Sequence, residues 1–379
     1  MEKKYQICTK CIMDTSDANI SFDDQGVCDN CHSFYEVIKP VWIPDERGNK
    51  YLNHKFAKVK KDGKGRDFDC IIGLSGGLDS SYLLHKVVTE FGLRPLVFHV
   101  DAGWNTEIAV NNIKNIVNKL NLDLYVDVID WDDMKDFQLA LFKSGTPHLD
   151  LAQDHAFFAT MYKYANKYNI KYILNGGNHS TECIRNPLDW LYYGTDMSFL
   201  NDIRRKFCTR PLVNYPWSSI YYHKIYLRYF KQIEVIKPLN FMEYNKKTAI
   251  DILSAEYDWK AYPQKHFESR FTRFYESYWL PKRFGYDTRR VQFSSLIVTE
   301  QMSRDEALDM MSNPSCTLDY ERSEFKYVAN KLEITVEELK SYLTMPKKWY
   351  FDYKNEKRFF DFGAKVLNLI YKDKAIIKR

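Results

Sequence analysis

Nowhere in this chain do 18 apolar residues follow one another, which excludes a membrane-spanning helix. The opening, MEKKYQICTKC, has no apolar stretch of the kind a secretory signal needs, so a cytoplasmic location is expected. Charge of one sign is scarce too. The 55 Lys and Arg face 50 Asp and Glu, a net charge of +5. That suits a polyanionic small ligand and falls short of the dense basic face of a nucleic-acid binder, so no nucleic-acid partner is expected. A further absence is one side chain. GLSGGLDSS, Gly73 to Ser81, looks like a glycine-rich phosphate loop but holds no Lys. It is therefore not the loop of the common nucleotide triphosphatases, in which a Lys reaches the β and γ phosphates.

What is present reads as globular. Hydrophobic residues make up 45% and charged residues 28% of 379 positions, enough for two or three domains and a sizeable core. Aromatics reach 16%. They fill helical cores, and they also leave open a site that stacks on rings. Four of the eight cysteines lie in the first 31 residues, as Cys8, Cys11, Cys28 and Cys31 in a C-x2-C-x16-C-x2-C spacing. Each C-x2-C turn aims two thiolates at one ion, and four close the tetrahedral shell of a structural Zn²⁺. Gly26 precedes the second pair, where a tight knuckle needs positive φ. So short a segment buries no core of its own, and metal binding is expected to supply its folding energy. An iron–sulfur cluster is the alternative occupant.

The expected organisation is a zinc-ribbon module over 1–40, a linker over 41–66, an α/β domain over 67–254 and a helical region over 255–379. The linker is read from Pro40, Pro44 and Gly48 and from the basic run KVKKDGKGRD. From Asp67 the pattern alternates. FDCIIGL, RPLVFHVDAG, DLYVDVID and IKYILNGGN read as strands, whereas SSYLLHKVVTEFG, EIAVNNIKNIVNKLN and AFFATMYKYANKYN have helical spacing. Repeated β-α units imply a doubly wound parallel sheet with ligands at the carboxyl ends of its strands. The loop after the first strand offers close backbone N–H groups, a helix N-terminus and the hydroxyls of Ser75 and Ser80 to an anion. Asp79 is an odd neighbour for phosphate unless a divalent cation lies between them.

SGGLDS resembles the S-G-G-x-D-S loop of the PP-loop ATP pyrophosphatases, the superfamily of GMP, asparagine and NAD synthetases and of tRNA thiolases. The resemblance implies a PP-loop fold that cuts ATP between the α and β phosphates, adenylates an acceptor oxygen and lets a nucleophile displace AMP. It places pyrophosphate on Ser75, Gly76, Gly77, Asp79 and Ser80, and adenosine near Val100 and Asp101 at the end of FHVDAGWNTE. In NGGNHSTE, Gly176 and Gly177 would admit the nucleotide, and Glu182 would join Asp79 on Mg²⁺.

The likeness goes further. The four-Cys opening, SGGLDSSY, FHVDAGWNTE, VIDWDDMKD, GGNHSTEC and KHFESRFTRFYESYWLPKRFGYDTRR together resemble the N-acetyl sugar amidotransferases of the WbpG and PseA group, from Cys8 to about Asn355. That resemblance implies conversion of an acetamido group of a nucleotide sugar to an acetamidino group. ATP and ammonia are consumed, and the ammonia comes from a separate glutaminase pair resembling HisH and HisF. The WbpG type favours UDP-2,3-diacetamido-mannuronate, with a CMP-nonulosonate as the alternative. In the aromatic and basic block, Arg270, Arg273, Lys282 and Arg283, with Asn178 upstream, are the expected substrate contacts, since Arg forks suit diphosphate and carboxylate. His266 and Glu268 are the expected proton carriers. A tRNA thiolase is a second reading, but Cys70, Cys183, Cys208 and Cys316 form no second C-x2-C. A non-enzymatic scaffold is a third, disfavoured because the loop keeps both serines, both glycines and the Asp. The stretch SRDEALDMM to TVEELKSYL has a helix–turn–helix cadence and is read as a packing element before a DNA reader.

Overall fold

A computed structural model describes residues 4–370; residues 1–3 and 371–379, the outer ends of the two expected terminal regions, lie outside the described residues. Strands β1 (Cys70–Gly73), β2 (Pro95–Asp101), β3 (Leu124–Val128), β4 (Tyr172–Leu174) and β5 (Glu234–Ile236) form one sheet in the order β3-β2-β1-β4-β5. Every neighbouring pair is parallel. The fold class is thus a parallel α/β sheet with a four-Cys module before it and helices after it.

Alternation along the strands sorts the core into two layers. Ile71, Leu96 and Phe98 enter one cluster, and Cys70, Ile72 and Val97 enter the other, as a period of 2 requires when helices cover both faces. Helices α2 (Leu78–Thr89), α3 (Glu107–Lys119), α4 (Trp131–Ser144) and α5 (Leu151–Lys167) follow β1, β2, β3 and α4 in turn. The chain steps outward from β1 to β3 and then returns to β4 beside β1. That reversal opens a crevice at the carboxyl ends of β1 and β4.

The expected linker is corrected. Residues 46–62 form α1 (Glu46–Asp62), whose Leu52, Phe56 and Val59 are fully buried against Ile72, Leu83 and Val87. Those three residues recur at spacings of four and three, so they share one face, while the Lys side chains cover the rest. The cysteine module also fails to stand apart. Its Met13, Ile20 and Phe34 share a cluster with Ile184, Trp190, Val291 and Val298. Ile12 N–H donates to Ser294 Oγ at 3.1 Å, and Arg290 pairs with Asp14 at 3.0 Å.

After the sheet, the helix Arg270–Phe274 runs into a π-helical stretch, Tyr275–Phe284, that ends at Gly285 with φ +77°. Ser303 and Thr335 accept from the N–H groups of Glu306 and Glu338, capping the helices that follow. Phe325, Val328, Leu332 and Leu339 of this region are buried in the main core, which makes the helix–turn–helix cadence a packing element.

Candidate active site

The Ser75–Ser80 loop is shaped by two constraints on Gly76. Its φ is +82°, and a Cβ there would stand 2.7 Å from the Ala109 carbonyl oxygen, so no other residue fits. Its own carbonyl accepts from Trp259 Nε1 at 3.2 Å and Tyr262 OH at 3.0 Å, which fixes how the next peptide is turned. The hydroxyls of Ser75 and Ser80 meet at 3.2 Å. Helix α2 starts at Gly77 without a side-chain cap, leaving first-turn N–H groups at the positive end of the helix for an anion.

In the first turn of that helix, Asp79 is held by three side chains. Its Oδ1 accepts from Tyr244 OH at 2.5 Å and Asn178 Nδ2 at 3.0 Å, and its Oδ2 from Lys265 Nζ at 2.9 Å. The β4 loop closes on it, with the Gly176 Cα packed so tightly that a Cβ would lie 3.1 Å from the Asp79 carbonyl carbon. Lys265 also meets Glu182 Oε1 at 2.6 Å. Burial alone would raise the Asp79 carboxyl, but the Lys265 charge and these hydrogen bonds outweigh it and hold it below its ordinary value. Asp79 and Glu182 do converge on one point, as shared ligands of Mg²⁺ must, and an ammonium group occupies that point. Two carboxylates fit a Mg²⁺ whose remaining ligands are phosphate oxygens and water.

Two cavities flank the loop. The smaller, about 300 Å³, is lined by Ser75, Gly77, Asp79, Ser80, Glu182 and Lys265, with Gly176 and Gly177 on its rim. The larger, about 440 Å³, lies beyond β2 against α5 and includes Val100 in its wall. They share Gly73, Ser75, His266 and Glu268. Glu268 is fixed at that junction by backbone: Thr106 N–H donates to its carbonyl at 2.9 Å, and Arg270 N–H to Trp104 at 2.7 Å. His266 adopts φ +65°, a conformation costly outside glycine and common where a site holds strain. Its Nδ1 meets Glu276 Oε1 at 3.1 Å. Burial would lower its pKa, yet Glu276 beside it raises it to about 10. His266 is therefore a charged donor rather than a base. Glu268 is pushed up by burial, which suits a group that holds and releases a proton.

Other predicted residues lie elsewhere. Asp101 accepts from Gly103 N–H at 2.8 Å and shapes a turn, lining neither cavity. Asn178 caps the turn at Thr181 and steadies Asp79. The basic cluster is corrected. Arg270 forks onto Glu324 at 2.8 and 2.7 Å beneath the Tyr327 ring, and Arg273 lies over Tyr320. Arg283 is buried among the carbonyls of Leu343, Met345 and Pro346, and Lys282 is exposed. None of these four lines either of the two cavities; fork geometry suits a carboxylate or a helix C-terminus of the protein itself as well as a ligand. Sequence reasoning missed Lys265, Tyr244 and Lys246, and also Asp150, Asp154 and Glu276 of the larger cavity. The one available signal was an i, i+4 acid pair, Asp150 at the N-cap and Asp154 in the first turn of α5.

The four cysteine Sγ atoms lie within 4.8 Å of one another and are buried, with Cys11–Cys28 at 3.6 Å and Cys8–Cys31 at 3.8 Å. A tetrahedron with Zn–S bonds of about 2.3 Å has edges of about 3.8 Å, so the set fits one ion. Arg304 donates to the carbonyls of Cys8 and Cys11 and holds the first knuckle. No other group of three metal-type ligands occurs among the described residues, and no described helix is long and apolar enough to cross a membrane.

A parallel sheet with a lysine-free glycine loop at its switch point and a second chamber beside it defines an α/β protein with a candidate anion-binding loop. Comparison with known proteins adds a particular. Residues 268–367 match the family model described as LPS biosynthesis protein WbpG-like, C-terminal domain, and Glu268 is the first matched residue. No curated protein matches the chain. Among solved structures, NMN synthetase from Francisella tularensis is similar at 15% identity over 59% of this chain and 100% of that chain, with a TM-score of 0.28. NH3-dependent NAD synthetase from Campylobacter jejuni, solved with nitrate, is similar at 14% over 55% and 93%, TM-score 0.27. The U34-tRNA thiolase NcsA from Methanococcus maripaludis, with its [4Fe-4S] cluster, is similar at 11% over 80% and 82%, TM-score 0.34.

Proposed function

We propose that the chain is an AMP-forming, ATP-dependent amidotransferase that converts an acetamido group of a nucleotide sugar to acetamidino. The observation that carries the reading is the junction of the two cavities. A lysine-free phosphate loop opens on one side, an acceptor-sized chamber on the other, and Glu268 and His266 lie between them. The match of residues 268–367 to the WbpG-like domain supports an acceptor from lipopolysaccharide biosynthesis, with UDP-2,3-diacetamido-mannuronate as the first candidate.

In this reading the loop N–H groups, Ser75 and Ser80 hold the pyrophosphate of ATP, and Asp79 and Glu182 would hold a Mg²⁺ that would supply neutralisation of phosphate charge. Lys265 then turns from its carboxylates toward the phosphates. Adenosine near Val100 would reach from the loop into the larger cavity, whose remainder would take the acceptor. The amide oxygen attacks the α-phosphorus while Glu268 takes the amide proton, and pyrophosphate leaves. Ammonia adds to the imidate carbon and AMP departs, leaving the amidine. Water must be excluded, since it would return the imidate to amide, so ammonia delivered by a separate glutaminase pair fits the scheme. Zn²⁺ in the four-Cys site is structural. Burial pushes the Cys183 and Cys208 thiols up to about 12, which disfavours a sulfur relay and hence tRNA thiolation.

The test is direct. Purified protein with ATP-Mg²⁺, ammonium and a panel of UDP- and CMP-acetamido sugars should yield AMP and pyrophosphate, and a sugar product one mass unit lighter with one more positive charge. ADP formation, or AMP release that requires tRNA, would sink the reading.

A further inference from the structure

One helix, Arg289–Val298, lies between the four-Cys module and the phosphate loop and is bonded to both sides. Toward the module, Ser294 Oγ accepts from Ile12 N–H at 3.1 Å, and Arg290 donates to the Ile12 carbonyl at 2.9 Å. Val291 and Val298 enter the module's apolar cluster beside Met13, Ile20 and Phe34, and Phe293 packs with Ile12. Toward the loop, Ser295 Oγ accepts from Ile184 N–H at 3.0 Å, and the Ser295 carbonyl accepts from Cys183 Sγ at 3.8 Å. Cys183 directly follows Glu182. Just past the helix, Thr299 Oγ1 and Gln301 Nε2 each donate to the Ser180 carbonyl at 2.8 Å, and Gln301 Oε1 accepts from Lys246 N–H at 2.8 Å. Ser180 Oγ donates in turn to the carbonyl of Tyr244, whose hydroxyl reaches Asp79. The same helix gives Gln292, Phe293 and Leu296 to the wall of the smaller cavity. Ser294 and Ser295 are both fully buried, so breaking either bond strands a polar group away from water.

We propose that the four-Cys module is a metal-operated clamp on the nucleotide site: metal loading fixes the helix Arg289–Val298, and the helix fixes Glu182 and Asp79. The proposal takes a Mg²⁺-nucleotide at the loop from the proposed function and is independent of the acceptor sugar. Coupling between sites needs an element with two states that both ligands bias, and the module is that element. Its buried apolar side chains lie in clusters it shares with the helix, so metal binding and docking on the helix are one folding event. Unloaded, the module releases Ile12 from Ser294 and uncovers Val291 and Val298. The helix then loses one packed face, and Ser295, Thr299 and Gln301 no longer hold residues 180–184 at a fixed place beside the loop. Linkage makes the clamp reciprocal. Whatever factor the metal adds to nucleotide affinity, the nucleotide must add to metal affinity.

The test strips zinc from the full chain with a chelator, restores it by titration, and reads ATP-Mg²⁺ binding by calorimetry with no acceptor present. Loaded protein should bind ATP-Mg²⁺ about tenfold more tightly than unloaded protein, within the usual range of coupling between sites. With Mg²⁺ in excess, so that ATP itself takes no zinc, ATP-Mg²⁺ should tighten zinc against a competing chelator by the same factor. Hydrogen exchange over residues 179–184 should slow on zinc loading. S295A keeps all four cysteines, so at saturating zinc it should be loaded, yet bind ATP-Mg²⁺ as weakly as the unloaded wild type and keep fast exchange over 179–184. Equal nucleotide affinity with and without zinc, zinc affinity indifferent to ATP-Mg²⁺, or a loaded S295A that binds like wild type each overturn the clamp. If stripping zinc unfolds the chain, the comparison of loaded S295A with loaded wild type decides in the same way. If ATP-Mg²⁺ binds to neither form, the nucleotide reading fails. Zinc-dependent protection of 179–184 that S295A abolishes would then still support the link from module to helix, and exchange indifferent to zinc would overturn it.

Discussion

Replacing Lys265 by Met removes the one cation shared by Asp79 and Glu182. Both carboxylates touch its Nζ, at 2.9 and 2.6 Å, so their oxygens lie within about 5.5 Å of each other, the sum of those distances. Two unit charges that far apart repel by about 3 kcal/mol at an effective dielectric of 20. Glu182 is 38% exposed, and water there roughly halves the repulsion to about 1.5 kcal/mol, or about one pKa unit. The sign of the pH dependence then inverts. In the wild type, Asp79 is held below its ordinary value, so its contribution is present above about pH 4 and is lost as pH falls. In K265M the Asp79 carboxyl loses that cation and is raised, so stability is intact below about pH 4 and is lost as pH rises above it. Melting at pH 4.5 and 7.5 should therefore show K265M falling further below wild type at the higher pH, by roughly 2 °C for a chain of this size. Millimolar Mg²⁺ should restore the loss at pH 7.5 by filling the vacated point. Turnover should drop by about 10²–10³, as when one preorganised charge is removed from a developing phosphate. A K265M protein whose deficit is the same at both pH values and indifferent to Mg²⁺ would refute the electrostatic account of this site.

Gly76→Ala should abolish nucleotide binding by calorimetry and lower Tm, since the left-handed backbone costs about 1–2 kcal/mol for alanine and the Cβ meets the Ala109 carbonyl. His266→Gln should destabilise most below pH 6.5; because the folded pKa is raised to about 10, the difference in Tm from wild type should shrink between pH 6.5 and 10 and vanish above. The protein should carry one zinc per chain and no brown iron absorbance, and Cys11→Ser should lower Tm and raise hydrogen exchange in Arg289–Val298, which shares the module's core. Arg283→Met should cost stability, about 1.5–3 kcal/mol for charge-assisted hydrogen bonds lost from buried carbonyls, while leaving the KM values for nucleotide and sugar unchanged.

The parts legible in sequence were those with local signals. β1 and β2 announce themselves by apolar runs, the loop by Gly76 and by its missing Lys, and the metal module by its spacing. Residues 46–62 were not legible as a helix because Leu52, Phe56 and Val59 are diluted by lysines, and the burial of that face depends on Leu83 and Val87 some 30 positions away. The basic block misled for a similar reason. Arg270 is satisfied by Glu324 and Tyr327, more than 50 residues downstream, and no local pattern tells an internal carboxylate from a ligand's. Lys265 stood inside the same block and was passed over, because its role appears only when the β4 loop brings Glu182 to Asp79.

Lys265 to Glu268 therefore does what the expected domain division at 254/255 would not allow. This short segment gives Lys265 to the phosphate loop and gives His266 and Glu268 to the junction with the larger cavity. Its backbone is tied to Thr106, after β2, and its His266 adopts a left-handed conformation. The nucleotide half is incomplete without it. A fragment ending at residue 254 would lack Lys265, and Asp79 and Glu182 would be left in the same repulsion as in K265M. It would also lack Trp259 and Tyr262, whose hydrogen bonds hold the Gly76 carbonyl. Loop geometry and loop charge thus both depend on residues beyond the last strand, so the sheet and the segment that follows it should fold and bind nucleotide as one unit.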